Sequence, residues 1–423
     1  MRRPRESLSM QRAPAAEHMR PATDPAAPRR RLIAGTLAAA LTARARAQAS
    51  ANPTGTAASP LTRGAAPSAS NVGISAAETP VAVKAVEVAR GLEHPWGLAF
   101  LPDGRLLVTE RAGRLRTIGR DGRLSAPLTG VPAVAARGQG GLLDVALSPG
   151  FATDRQVFLS FAEPADGGAR TAVARATLAD DGLRDATIIF RQRQSRGGAN
   201  HFGSRLALTG DGHLFITMGD RYDARDQVQD LATHFGKIVR VRSDGTVPSD
   251  NPFTAVPRAL PDIWSYGHRN VQGAALHPVT GRLWTHEHGA MGGDEVNIVL
   301  PGRNYGWPVI THGVDYSGEK IGEGSAKAGM EQPVHFWVPS IAPSGMAFVT
   351  GSRLPGWRGS LVVGSLKSRL LVRLALDGER VVGEQRVLQS LGERLRDVHQ
   401  GPDGHLYLLT DNSRGAVLRI EPA

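Results

Sequence analysis

The chain has 423 residues, 41% hydrophobic and 21% charged, the composition of a folded globular protein rather than a disordered one. It holds no cysteine, which excludes disulfides, thiolate metal sites and cysteine nucleophiles, while 50 glycines and 28 prolines favour turn-rich β-structure over helical bundles. The net charge of +11 is uneven: residues 1–49 carry ten arginines against three acids (+7), and the remainder carries 40 basic against 36 acidic groups (+4), too little and too dispersed for a nucleic-acid partner.

In chain order, the first feature is Arg29-Arg30-Arg31, followed by an apolar stretch from Leu32 to Ala43 and then Ala47-Gln48-Ala49. Basic region, short apolar region and small-x-small cleavage site are the three parts of an export signal, and the arginine pair fits the twin-arginine type. Residues 1–49 are therefore expected to direct the protein to the periplasm, with Met10 or Met19 as alternative starts because the segment before Arg29 is long. No apolar run approaches the roughly 18 residues that span a bilayer. Residues 50–80 are rich in Ala, Ser, Pro, Gly and Thr, cannot bury a core, and read as a linker.

From Val81 to the end a unit recurs: apolar strand, Asp/Gly or Pro/Gly turn, second apolar strand. Copies are "WGLAFLPDGRLLVTER", "GLLDVALSPGFATDRQVFLSFAE", "SRLALTGDGHLFITMGD", "GAALHPVTGRLWTHEHG", "RDVHQGPDGHLYLLTD" and a degenerate "SGMAFVTGSRLPGWRGSLVVGSL". Asp103-Gly104, Asp211-Gly212 and Asp403-Gly404 supply the positive φ of a tight hairpin. Six hairpins, each with one unburied apolar face, predict an all-β, six-bladed β-propeller of four-stranded antiparallel sheets over 81–423. A β-sandwich explains the hairpins but not their repetition.

The unusual polar residues fall where strands end. "GQGG" holds Gln139; "NHFGSR" holds Asn200 and His201, and its hairpin ends at Asp220; "YGHRNVQG" holds Arg269, Asn270 and Gln272. "THEHGAMGGDEVN" holds His286, Glu287, His288, Asp294 and Glu295; "GSLKS" holds Lys367, and "ERLRD" holds Arg394 and Arg396. In a propeller such loops converge around the axis. Arg269, Lys367, Arg394 and Arg396 together suit a planar polycarboxylate or a phosphate, and His201 with Asp220 suits a general base oriented by a carboxylate. His286 and His288 share a strand face with no third ligand placed to complete a zinc site.

At these residues the chain resembles the soluble pyrroloquinoline quinone (PQQ)-dependent sugar dehydrogenases, the glucose/sorbosone dehydrogenase family, and especially their aldose sugar dehydrogenase branch. The resemblance runs from about His94 to Asp411, through "GQGGLLDVAL", "NHFGSRL", "IWSYGHRNVQG", "EHGAMGGDEVNI", "NYGWP" and "GSLK" in order. It implies an enzyme that oxidises the anomeric carbon of an aldose sugar to a lactone, passing hydride to PQQ and electrons on to an external acceptor (quinone, cytochrome or dye). By the same resemblance His201 is the general base, Asp220 its support, Arg269 and Asn270 flank the reactive quinone oxygens, and Gln139 contacts cofactor and substrate. Lys367, Arg394 and Arg396 hold the PQQ carboxylates. Calcium is implied too: Gly289-Ala290 stands where the family has a Gly-Pro pair offering backbone carbonyls, and Glu295 and Tyr305 match a second, structural Ca2+ site. A calcium-dependent lactonase and a non-catalytic sugar- or protein-binding propeller remain as alternatives, although a lactonase has no use for the cationic clamp and a binder need not keep His201 with Asp220. No interface motif is legible, so a homodimer stays open, as do the sugar preference and the contribution of the inserted loop 308–330.

Overall fold

Three Asp-Gly turns close in the same way and set the pattern. Gly104 N donates to Leu101 O at 2.9 Å, Gly212 N to Thr209 O at 3.1 Å and Gly404 N to Gly401 O at 2.9 Å. The three glycines have φ of 85°, 84° and 81°, a region that costs glycine nothing. The Asp103 and Asp403 carboxylates each accept the backbone N–H two residues on, so the turns are locked by their own side chains.

The computed structural model describes residues 81–423; the export signal expected over 1–49 and the linker over 50–80 lie outside the described residues. The chain opens with β1 (Val83–Leu92) and continues with β2 (Pro95–Phe100), β3 (Leu106–Glu110) and β4 (Arg114–Ile118). Next come β5 (Leu142–Leu147), β6 (Gln156–Ala165), β7 (Gly168–Leu178) and β8 (Leu183–Arg191). They are followed by β9 (Leu206–Leu208), β10 (His213–Thr217), β11 (Lys237–Arg242) and β12 (Ile263–Tyr266). The fourth set is β13 (Val271–Leu276), β14 (Leu283–Glu287), β15 (Asp294–Val299) and β16 (His335–Trp337). The last are β17 (Pro343–Phe348), β18 (Leu361–Ser365), β19 (Leu371–Asp377) and β20 (Arg380–Val387), then β21 (Leu395–Gln400), β22 (Leu406–Thr410) and β23 (Gly415–Pro422).

These strands form the six antiparallel blades of a β-propeller. In the β2–β4 blade the three strands are continued at the outer edge by a bridge between Ile118 and Leu124. In the last blade the outer strand is β1, which pairs with β23 from Val83↔Pro422 to Leu92↔Gly415, so the start of the described chain closes the ring.

The core lies between blades rather than within them. Leu107 and Leu115 pack with Val145, Leu159 and Phe161 of the next blade, and Val362 and Leu371 pack with Val398 and Leu408 of theirs, all fully or almost fully buried. Each such aliphatic contributes about 1.5–3 kcal/mol, which no isolated hairpin could gain. Ring closure is therefore what stabilises each blade.

Strand alternation then fixes where the site lies. The innermost strands β2, β5, β9, β13, β17 and β21 all enter from one face, and the chain returns to that face after each second strand. The segments before every innermost strand and after every second one meet there. Among the described residues no helix is long and apolar enough to cross a membrane.

Candidate active site

His201 precedes β9 with φ of 53°, a left-handed conformation uncommon for a non-glycine residue. Its Nδ1 lies 2.6 Å from Asp220 Oδ1, and its backbone N donates to Gln139 Oε1 at 2.8 Å. Asp220, just after β10, is saturated: Oδ1 also accepts Tyr222 N at 2.8 Å, and Oδ2 accepts the Trp307 indole N–H at 2.9 Å. Gly219 is what lets the two loops meet, because a Cβ there would run into the His201 carbonyl.

Arg269 and Asn270 lead into β13 and complete this corner. Asp220 N donates to Arg269 O at 2.8 Å, and Asn270 Oδ1 accepts Gly203 N at 3.2 Å. The Arg269 backbone N donates to Glu287, whose other oxygen lies 2.8 Å from His268 Nδ1. The Arg269 guanidinium lies over the Trp307 ring, 5.3 Å from its centroid, and donates from Nη1 to the Gly289 carbonyl. Its Nε and the Asn270 Nδ2 are buried donors without a hydrogen-bond partner. Orphaned buried donors are costly unless a ligand takes them.

The electrostatics favour a neutral His201. Burial holds its imidazole below the ordinary value, the Asp220 hydrogen bond pulls the other way, and the Arg269 charge adds to the depression. Burial pushes Asp220 up, but the His201 hydrogen bond and the His201 and Arg269 charges outweigh it, and the group stays an anion. The pair therefore rests as neutral imidazole beside carboxylate.

Across the axis stands a cationic group. Arg396 is buried and donates to Asp411 Oδ2 at 3.0 Å and to Gln272 Oε1 at 3.1 Å, with its Nε unpartnered. Arg394, 44% exposed, reaches the same Asp411 oxygen at 3.3 Å and the Leu366 carbonyl at 3.2 Å. Lys367, next along, is exposed and makes no ion pair among the described residues. One carboxylate thus serves two guanidiniums, and positive charge is left over.

Gly289 and Ala290 lie in the β14–β15 loop. The Gly289 carbonyl already accepts a cationic donor, Arg269, and its N–H donates to Asp294 Oδ1 at 2.9 Å. Glu295 and Tyr305 line a cavity of about 10 Å3 with Glu287, Gly289 and Gly293, room for roughly one water or one bare ion. Burial, with the Glu287 and Asp294 charges, pushes Glu295 up to about 8. The Tyr305 hydroxyl is committed to Ile298 O at 2.7 Å and Leu300 N at 2.8 Å, so any ligand oxygen from this residue is its carbonyl. His286 is fully buried, and His288 Nε2 lies 2.6 Å from the Pro343 carbonyl oxygen; among the described residues no three His, Cys, Asp or Glu side chains converge on a metal-sized point.

Residues 92–419 match the glucose/sorbosone dehydrogenase family. The chain belongs to this family. It is 48% identical over 337 residues to the aldose sugar dehydrogenase YliI of Escherichia coli strain K12, covering 78% of this chain and 91% of that one. The crystal structure of the soluble aldose sugar dehydrogenase from Escherichia coli, in its apo form, superposes with a TM-score of 0.79 at 46% identity, over 81% of this chain and 100% of that one. The PQQ-bound aldose sugar dehydrogenase from Streptomyces coelicolor gives a TM-score of 0.67 at 32% identity, over 81% and 99%.

Within this family member, Gln139, His201, Asp220, Arg269 and Asn270 gather at one corner and Lys367, Arg394 and Arg396 at another. Sequence reasoning missed four supports. Arg221, fully buried, donates to the carbonyls of Asn200, Ala169 and Gly198 and lies 3.7 Å from the Phe202 ring centroid, tying the Asp220 loop to the His201 loop. Trp307 fixes Asp220, and Asp411 fixes both clamp arginines. Arg205 floors the site, stacked 4.1 Å from the Trp96 ring centroid and ion-paired with Asp397 at 3.0 Å and Asp144 at 3.3 Å. Arg221 directly follows Asp220 and Trp307 lies in "NYGWP", but no local pattern marks them as supports.

Proposed function

We propose that this protein oxidises the anomeric carbon of aldose sugars to the lactone, with PQQ as hydride acceptor and an external quinone, cytochrome or dye as the final acceptor. The observation that carries this reading is the His201–Asp220 pair at 2.6 Å, with Asp220 and Arg269 lining one cleft and an under-neutralised cationic group elsewhere on the same propeller face.

The residues fit the cofactor. Lys367, Arg394 and Arg396 would hold the carboxylates of a planar trianion, and the unpartnered donors of Arg269 and Asn270 would meet its carbonyl oxygens. Bound there, PQQ supplies the two-electron acceptor for the hydride of the anomeric C–H. With Nδ1–H given to Asp220, the His201 lone pair sits on Nε2 and takes the proton of the anomeric hydroxyl. Asp220 holds the tautomer and stabilises the imidazolium that forms, and the Arg269 guanidinium stabilises developing negative charge. A calcium ion at the Gly289 and Ala290 carbonyls would need Arg269 Nη1, which now donates to the Gly289 carbonyl, to give that oxygen up. Glu295 with the Tyr305 carbonyl would hold a second, structural ion in the small cavity they line. Export by residues 29–49 would place the enzyme in the periplasm.

The test is reconstitution. Protein made without PQQ should be folded and inactive, and should gain aldose-dependent dye reduction when PQQ and Ca2+ are added together, but not after chelation. Recovery with NAD or a flavin instead would overturn the proposal.

A further inference from the structure

Among the described residues, eight large apolar side chains are exposed, and the two aromatic ones, Tyr222 (51%) and Tyr316 (58%), line the same cavity. That cavity, about 230 Å3, is walled by Asp220, Arg269, Trp307, Ala290 and Ile321, so it opens directly onto the catalytic corner. Tyr222 has its ring edge on the His201 ring, with centroids 5.4 Å apart. Tyr316 comes from the other side, on the loop after Trp307, and its hydroxyl lies 3.4 Å from Arg269 Nη2.

Backbone pairing anchors the loop at Val314, whose carbonyl accepts Met291 N at 2.9 Å. Next to Tyr316, Asp315 adds an ion pair of 2.8 Å to Arg225, on the loop that also carries Asp220 and Tyr222. The Asp315 carboxyl is lowered by that hydrogen bond, as such a pair requires. The ion pair thus joins the two loops that present the two tyrosines. A half-bare aromatic ring beside polar groups matches a pyranose, which has an apolar C–H face and a rim of hydroxyls.

We propose that Tyr316 and Tyr222 form the platform for the aldose ring, and that the Arg225–Asp315 pair positions Tyr316 and so sets sugar selectivity. This rests on the sugar-oxidising reading and deepens it. Tyr316 acts on substrate binding, not on proton transfer. Its loss should therefore appear in KM and leave kcat nearly intact.

The test uses the holoenzyme with glucose as the probe. Tyr316→Ala should raise KM roughly five- to ten-fold, the size of one lost aromatic contact. Its kcat should stay within about three-fold, because the base is untouched, and Tyr316→Phe should keep a near-normal KM. Arg225→Ala and Asp315→Ala should each raise KM about two- to five-fold, as an exposed ion pair implies, and the double variant should match either single one. Saturation-transfer NMR of glucose, with and without PQQ, separates this inference from the sugar-oxidising reading. Transfer that depends on Tyr316 in a protein that turns over no sugar leaves the subsite standing and removes the oxidase. An unchanged KM, a fall in kcat alone, additive effects in the double variant, or no transfer to wild type in either state would each overturn the proposal.

Discussion

The two halves of the site are built to opposite specifications. At the His201 corner every hydrogen-bonding atom of Asp220 is engaged, by His201, Tyr222 and Trp307, and Arg221 pins the loops from below. At the clamp, Lys367 is exposed, Arg394 is half-exposed, and a single carboxylate, Asp411, stands against two guanidiniums. On the proposed reading, the protein alone completes the proton-transfer geometry, whereas the clamp would be completed by an anionic ligand. Catalysis and cofactor retention should therefore separate on mutation.

Among the supporting residues, the largest effect that sharpens this contrast is that of Asp220→Asn. An amide cannot impose the Nδ1–H tautomer, so kcat should fall by roughly 10²-fold or more while PQQ affinity holds. Parallel kcat and PQQ titrations check it, and a near-normal kcat would blur the two halves into one. Next come Arg394→Ala and Lys367→Ala. Both groups are solvated, so each should weaken PQQ binding about three- to ten-fold, less than the buried Arg396, and the loss should shrink in high salt. Equal losses at all three positions would show that burial does not grade the clamp.

The smallest effect is in pH. The His201 pKa is depressed below 6.5, and the base works only when neutral. So kcat/KM should be level above that pH and fall with acid, by up to about ten-fold per unit, only below the depressed pKa. Asp220→Asn removes the hydrogen bond that raises the value, so the acid limb should move to still lower pH. An acid limb above 6.5 in the wild type would assign the base elsewhere.

The propeller was legible because Asp-Gly turns such as 103–104, 211–212 and 403–404 mark the first hairpin of a blade by local chemistry alone. The closure of β1 on β23 was not, since it pairs residues more than 300 positions apart with no shared local signal. The same division runs through the site. His201, Arg269 and Lys367 sit in distinctive strings, but Trp307 reaches Asp220 across 87 positions, and its role exists only once the β9–β12 and β13–β16 blades pack side by side. Nothing in the sequence marks Arg205 or Arg221; burial against Trp96 and Phe202 makes them structural.

The central claim is that chemistry and cofactor holding reside in separable residues, and one paired measurement tests it most directly. Wild type, His201→Ala and Arg396→Ala are titrated with PQQ in the presence of Ca2+, and kcat is then measured on the same samples at saturation. The account predicts that His201→Ala titrates like wild type yet turns over roughly 10²- to 10⁴-fold more slowly. It predicts that Arg396→Ala binds PQQ about 10- to 150-fold more weakly, having lost a charge-assisted contact. At saturating PQQ, Arg396→Ala should keep most of its turnover. A near-normal kcat in His201→Ala, or a wild-type titration in Arg396→Ala, would contradict it.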